Sequence, residues 1–113
     1  MTILEFETLE RDGATHVALR GELDLSSADR VERELERVES ERPDLIVLDL
    51  RGLTFLDSTG LRLIVTADQR ARQSGRRLAV VRGPATVQRV FSITKLDERL
   101  DMVDDISELQ ASG

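Results

Sequence analysis

The sequence predicts an α/β fold: a mixed central sheet of four to five strands with helices packed on it. Three observations carry this. "LIVLDL" (45–50) is an almost unbroken apolar run, and "LAVV" (78–81) is another; both read as strands buried on two faces. A helical pattern lies between them, and strand–helix–strand is a crossover unit, so these two strands should run parallel. "THVALRGELD" (15–24) instead alternates, with Val17, Leu19, Gly21 and Leu23 on one face and Ala18, Arg20 and Glu22 on the other. That is a half-buried strand.

The elements follow in order. Ile3, Leu4, Phe6 and Leu9 mark a first strand over 3–9. "RDG" (11–13) then carries Asp-Gly, a strong hairpin signal leading into the alternating strand. Ser26 or Ser27 can cap a helix, and Ser26 with Asp29 three residues on forms an acidic capping box. Ala28, Val31, Leu35 and Val38 recur at helical spacing, with acids and arginines on the other face and Glu32–Glu36 as a like-charge pair. Pro43 stops this helix. After the 45–50 strand, a helix is predicted from about Ser58 to Ser74, ended by Gly75. Pro84 opens a short helix with Val87, Val90 and Phe91 on one side. A short strand near 100–103 and a helix near 104–111 complete the chain.

The 113 residues point to one domain, long enough to bury roughly two-thirds of its unfolded surface. Three Phe are the only aromatics, so Leu, Val and Ile must form the core, and little ring surface is left for stacking bases or sugars. No cysteine is present, which excludes disulfides and thiolate metal sites and suits a reducing cytoplasm. No apolar run approaches the ~20 residues that span a bilayer. "MTILEFETLERDG" is acidic, unlike a signal peptide. A net charge of −6 argues against a nucleic-acid partner.

The most informative stretch is "RGLTFLDSTGLRLIV" (51–65). If strand 45–50 is buried, the connection after it lies at the carboxyl edge of the sheet, where open α/β sheets place their sites. The following helix presents unpaired N–H groups and the positive end of its dipole. Asp57, Ser58 and Thr59 are residue types that satisfy such donors, as in an ordinary capped helix. Gly60 is the odd member, since glycine there costs up to about 1 kcal/mol relative to alanine. A hydroxyl projecting from this position could also carry a phosphoryl group.

Other chemistries fit poorly. His16 is the only histidine, so no triad or metal set is apparent and no cofactor is called for. A nucleophile elbow needs glycine where Leu56 stands. An acyl-carrier reading of Asp57-Ser58 conflicts with the buried strand in front of it. Arg70, Arg72, Arg76 and Arg77 cluster at the helix end, where cations complement the dipole. Asp49, inside a buried run, is costly if it faces inward unless it caps a backbone group.

"LTFLDSTGLRLIV" (53–65) resembles the signature of STAS domains, and most closely that of the bacterial anti-sigma factor antagonists. "LRGELDLSSA" (19–28), "IVLDLRGLTFLDSTGL" (46–61) and "PATVQRVFSITKLDERL" (84–100) extend the likeness along the chain. The resemblance implies a STAS-type fold and a non-enzymatic, cytoplasmic protein, a monomer when free. It implies that the acceptor of phosphate is Ser58, modified by a nucleotide-bound anti-sigma factor that is also a serine kinase. Unphosphorylated, the domain binds that kinase and frees a sigma factor; phosphorylated, it lets go, and a phosphatase resets it. Glu22, Asp24, Asp57, Ser58, Thr59, Gly60, Leu61 and Arg62 are the implied partner-binding residues. Arg62 departs from the pattern, standing where many members carry a small residue. STAS domains also serve as accessory subunits of lipid-transport ABC systems and within stress-signalling assemblies, which is the alternative implication.

Overall fold

The computed structural model describes residues 3–110. Strands β1 (Leu4–Arg11) and β2 (Ala14–Leu23) form the hairpin that Asp12-Gly13 predicts, and they pair antiparallel. Helix α1 (Ala28–Ser40) leads to β3 (Leu45–Leu56), α2 (Ser58–Gln73) to β4 (Arg77–Val81), and α3 (Ala85–Ile93) to β5 (Met102–Val103), by way of a 3₁₀ turn at Leu96–Glu98. Helix α4 (Ser107–Gln110) follows; residue 111, the expected end of that helix, lies outside the described residues. The sheet is mixed, in the order β1-β2-β3-β4-β5, and β2 to β5 are mutually parallel.

Each crossover steps one strand along in the same direction. Crossovers share one hand, so α1, α2 and α3 are laid on the same face of the sheet. Beneath them lies the main core: Val31, Leu35 and Val38 from α1, Leu61, Ile64 and Ala67 from α2, and Val87 and Phe91 from α3, against Leu19, Leu23, Leu48 and Leu50. The four apolar positions read at helical spacing in α1 are all buried. Arg70 of α2 ties the two long helices together. Its guanidinium is 2.7 Å from Glu32 and 2.8 Å from Glu39, both on α1. Three of the four expected dipole-complementing arginines are thus committed to particular acids, Arg72 to Asp68 and Arg77 to Asp101 as well.

The opposite face carries a smaller cluster, Val47, Ala79, Val81, Val103 and Leu109, with Leu45 and Ile106 packed against it. Asp49 points to this side, where its carboxylate accepts the backbone N–H of Arg51 at 3.0 Å and pairs with the Arg51 guanidinium at 2.8 Å. Burial works against its charge, but the hydrogen bonds and positive charge of Arg51 outweigh burial and hold the carboxyl below its ordinary value.

Two expectations are corrected. Strand β3 does not end at Leu50 but runs on to Leu56. Its pairing with β2 slips between Ala18 and Arg20 and again between Gly21 and Glu22, where β3 supplies the extra residue each time. These bulges turn the buried series 46, 48, 50 into 53 and 56, so spacing changes from two to three and no longer looks like a strand. Gly21, at the second slip, has φ +105, a backbone shape that favours glycine. The second correction concerns the start of α1. Ser27 stands at the cap position, but its hydroxyl makes no cap bond to the helix; it donates to the carbonyl of Glu22 at 2.9 Å instead. Ser26 binds Asp24, so the Ser26–Asp29 capping box does not form.

Candidate functional site

Because β2 and β3 are parallel, their carboxyl ends reach the same edge of the sheet. Two loops meet there: residues 24–27 after β2, and the single residue Asp57 between β3 and α2. Asp57 has extended backbone angles and caps α2, its Oδ1 accepting the N–H of Gly60 at 2.9 Å. Its Oδ2 accepts the N–H of Leu25 at 3.1 Å, and its own N–H donates to the carbonyl of Leu23 at 3.2 Å. The cap read from the sequence is therefore also a bond between two loops.

Ser58 is the first residue of α2 and is exposed. Thr59, next to it, is half-buried. The N–H of Gly60 is taken by the Asp57 carboxylate, whereas those of Ser58 and Thr59 have no helical carbonyl one turn earlier to bond, so the dipole of α2 presents its positive end beside the Ser58 hydroxyl. A phosphate there would meet donors and a favourable dipole. Arg62, one helical turn further on, is exposed.

Gly60 and Leu61 belong to the same motif but turn inward; both are buried. A Cβ on Gly60 would lie 2.7 Å from a methyl of Leu56 and 2.8 Å from both Cγ and the carbonyl oxygen of Leu23. Overpacking of this kind costs about 1–3 kcal/mol. The helical penalty of glycine, up to about 1 kcal/mol, is smaller. Packing thus decides the residue, and it allows the first turn of α2 to sit directly on the end of β2. Gly60 and Leu61 build the surface from beneath rather than present themselves on it.

On the β2 side, Asp24 is half-buried and its carboxylate accepts both the N–H and the hydroxyl of Ser26. Glu22, half-buried, pairs across the sheet with Phe55. Two residues that the sequence reading did not select complete the surface. Leu25 is 76% exposed and Phe55 47%. With Asp24, Ser26 and Asp57 they line a shallow depression beside Ser58. The one available signal was Phe55 itself, one of only three aromatics in the chain, standing two residues before the Asp-Ser-Thr-Gly turn. Among the described residues no group of three or more His, Asp or Glu side chains is placed to hold a metal ion. No described helix is long and apolar enough to cross a membrane.

The arrangement offers an accessible hydroxyl at the start of a helix, one residue on from a depression lined by the exposed Leu25 and Phe55. The sequence model of the STAS domain matches residues 5–109. An anti-sigma F factor antagonist of Paenibacillus polymyxa is 30% identical over 103 residues, 90% of this chain and 88% of that one. An anti-sigma factor antagonist of Mycobacterium paratuberculosis shares the fold at a TM-score of 0.87, with 22% identity over 97% of this chain and 93% of the other. The Bacillus cell fate determinant SpoIIAA, solved in a phosphorylated form, superposes with a TM-score of 0.74 at 16% identity, covering 96% of this chain and 100% of that one. The overall fold is thus shared with these structures, and the chain belongs to the STAS domain family, among the anti-sigma factor antagonists.

Proposed function

We propose that this protein binds a kinase-type anti-sigma factor, thereby releasing a sigma factor, and that phosphorylation of Ser58 by that partner ends the interaction. The observation that carries the reading is the placement of Ser58: exposed, first in α2, and directly after Asp57, which lines a depression with the exposed Leu25 and Phe55. Large apolar side chains held in solvent at one edge suit a protein partner better than a small polar ligand. Relatives named as anti-sigma factor antagonists, and a structural neighbour known in a phosphorylated form, support the same reading.

The physics of the switch is local. Phosphate adds about −1.5 to −2 charges to a helix N-terminus. The domain tolerates an anion there, so its fold survives the change. A partner that closes over Ser58, Leu25 and Phe55 meets new bulk and a dianion whose desolvation it cannot compensate. The docking face comprises Ser58, Thr59 and Arg62 of α2 with Glu22, Asp24, Leu25 and Phe55, supported by Asp57, Gly60 and Leu61. A phosphatase acting on the modified form completes the cycle.

Incubation with the cognate nucleotide-bound serine kinase and ATP, followed by intact-mass analysis, tests this. One phosphoryl group on the wild type and none on Ser58→Ala is the expected result. Modification that persists in Ser58→Ala would move the switch elsewhere in the chain.

A further inference from the structure

We propose that Asp57 is a positioning residue of the docking face: its carboxylate joins the loop after β2 to the start of α2 and so presents Leu25 beside Ser58. This rests on the docking reading above.

Capping alone does not require aspartate. Ser, Thr and Asn cap helices about as well. What they lack is a second acceptor oriented to the other side. Asp57 uses one oxygen for Gly60 of α2 and the other for Leu25, 32 residues earlier in the chain. An ionised carboxylate has two oxygens that only accept, which suits two converging N–H donors. Asparagine would turn an N–H group toward one of them. Serine has a single oxygen on a shorter arm.

Leu25 needs such a tether. With 76% of its surface in water, it gains almost nothing from burial that could hold the loop in place. The other bonds of the loop include Ser26 to Asp24, the N–H of Asp24 to Ser27, Ser27 to the carbonyl of Glu22, and the N–H of Ala28 in α1 to the carbonyl of Asp24. They shape the loop but do not tie it to α2. The bond from Leu25 to Asp57 does. Both carboxylate oxygens are thereby engaged inside the domain, so the effect of Asp57 on a partner passes through Leu25.

The test uses the free domain and the kinase reaction in parallel. In Asp57→Ser the cap on Gly60 is retained and the bond to Leu25 is not. NMR amide exchange should accelerate roughly tenfold at Leu25, the loss of one charge-assisted hydrogen bond, and stay within about threefold at Gly60. In Asp57→Asn one of the two amides should lose protection. With the serine kinase, Asp57→Ser should raise KM for phosphorylation of Ser58 and leave kcat in place. Leu25→Ala should do the same, and the double variant should add little. Unchanged exchange at Leu25 in Asp57→Ser overturns the proposal. So does faster exchange with an unchanged KM, in which case Ser58 still stands as the acceptor. If wild type is not phosphorylated at all, the switch at Ser58 fails, whereas the exchange data still decide whether Asp57 holds the loop.

Discussion

The two ends of the parallel strands are built on different principles. At the amino end, the β1–β2 turn and the connection from α1 to β3 bring together Glu10, Arg11, Asp12, Glu41, Arg42 and Asp44. Charged side chains in water define that end, and Asp12 and Arg42 adopt positive φ in open turns. At the carboxyl end, Asp57 bonds two loops, Gly60 rests on Leu23, and Leu25 and Phe55 stand exposed. Solvated charges tolerate change because water replaces what a substitution removes. Close contacts and inter-loop bonds do not, since nothing else fills their place. Substitutions at the carboxyl end should therefore cost binding or folding outright, and those at the amino end should shift stability by small amounts that depend on pH.

The largest expected effect is on binding. Ser58→Asp should fold normally yet bind the kinase a few hundredfold more weakly, a loss of ~3–4 kcal/mol, read by calorimetry. Ser58→Ala should bind and resist release by ATP. Equal binding of wild type and Ser58→Asp would remove the functional distinction between the two ends. Next comes Gly60→Ala. Its new methyl meets Leu23 and Leu56, and the helical gain of alanine returns only part of the cost. A net loss of about 1–2 kcal/mol should appear in urea denaturation.

At the amino end the effects are smaller and depend on pH. Burial, helped by Arg11, lowers the pKa of His16, while Asp49 pulls the other way. The unfolded chain then binds a proton more readily than the folded one between the depressed value and the ordinary 6.5. Stability should rise with pH across that window, and His16→Gln should flatten the rise in urea midpoints. Smallest of all is Glu41→Gln. A hydrogen bond with Glu41, together with its negative charge, raises the pKa of Glu10 above its ordinary 4.5. The contribution of this shared proton is full below that value and lost as pH rises through the raised one. Glu41→Gln removes this interaction and also the pairing of Glu41 with Arg37 at 3.4 Å, so the melting temperature at neutral pH should change little while its dependence on pH above 4.5 flattens.

Much of this was legible in the chain itself. Alternation in β2 and helical spacing in α1 each survive in the structure because one face of each element is buried and the other solvated. The continuous runs 45–50 and 78–81 are buried on both faces because they are the middle of the sheet. The Asp-Ser-Thr-Gly turn was readable because capping is local chemistry, satisfied within three residues. The far half of β3 was not readable, because two bulges change its period. Nor was the α1 cap, since Ser27 found a better acceptor in the carbonyl of Glu22.

Local periodicity and cap chemistry, both properties of neighbouring residues, were enough to determine an α/β domain with a hydroxyl at the mouth of a helix. Tertiary structure alone decided that Leu25 and Phe55 would stand exposed around a depression at Asp57, that Gly60 would pack on Leu23 and Leu56, and that Asp57 would serve two loops at once. Each of those outcomes depends on bringing β2 alongside β3, residues some thirty positions apart. Contacts between such distant segments are set by sheet register and close packing, which no short window of sequence contains.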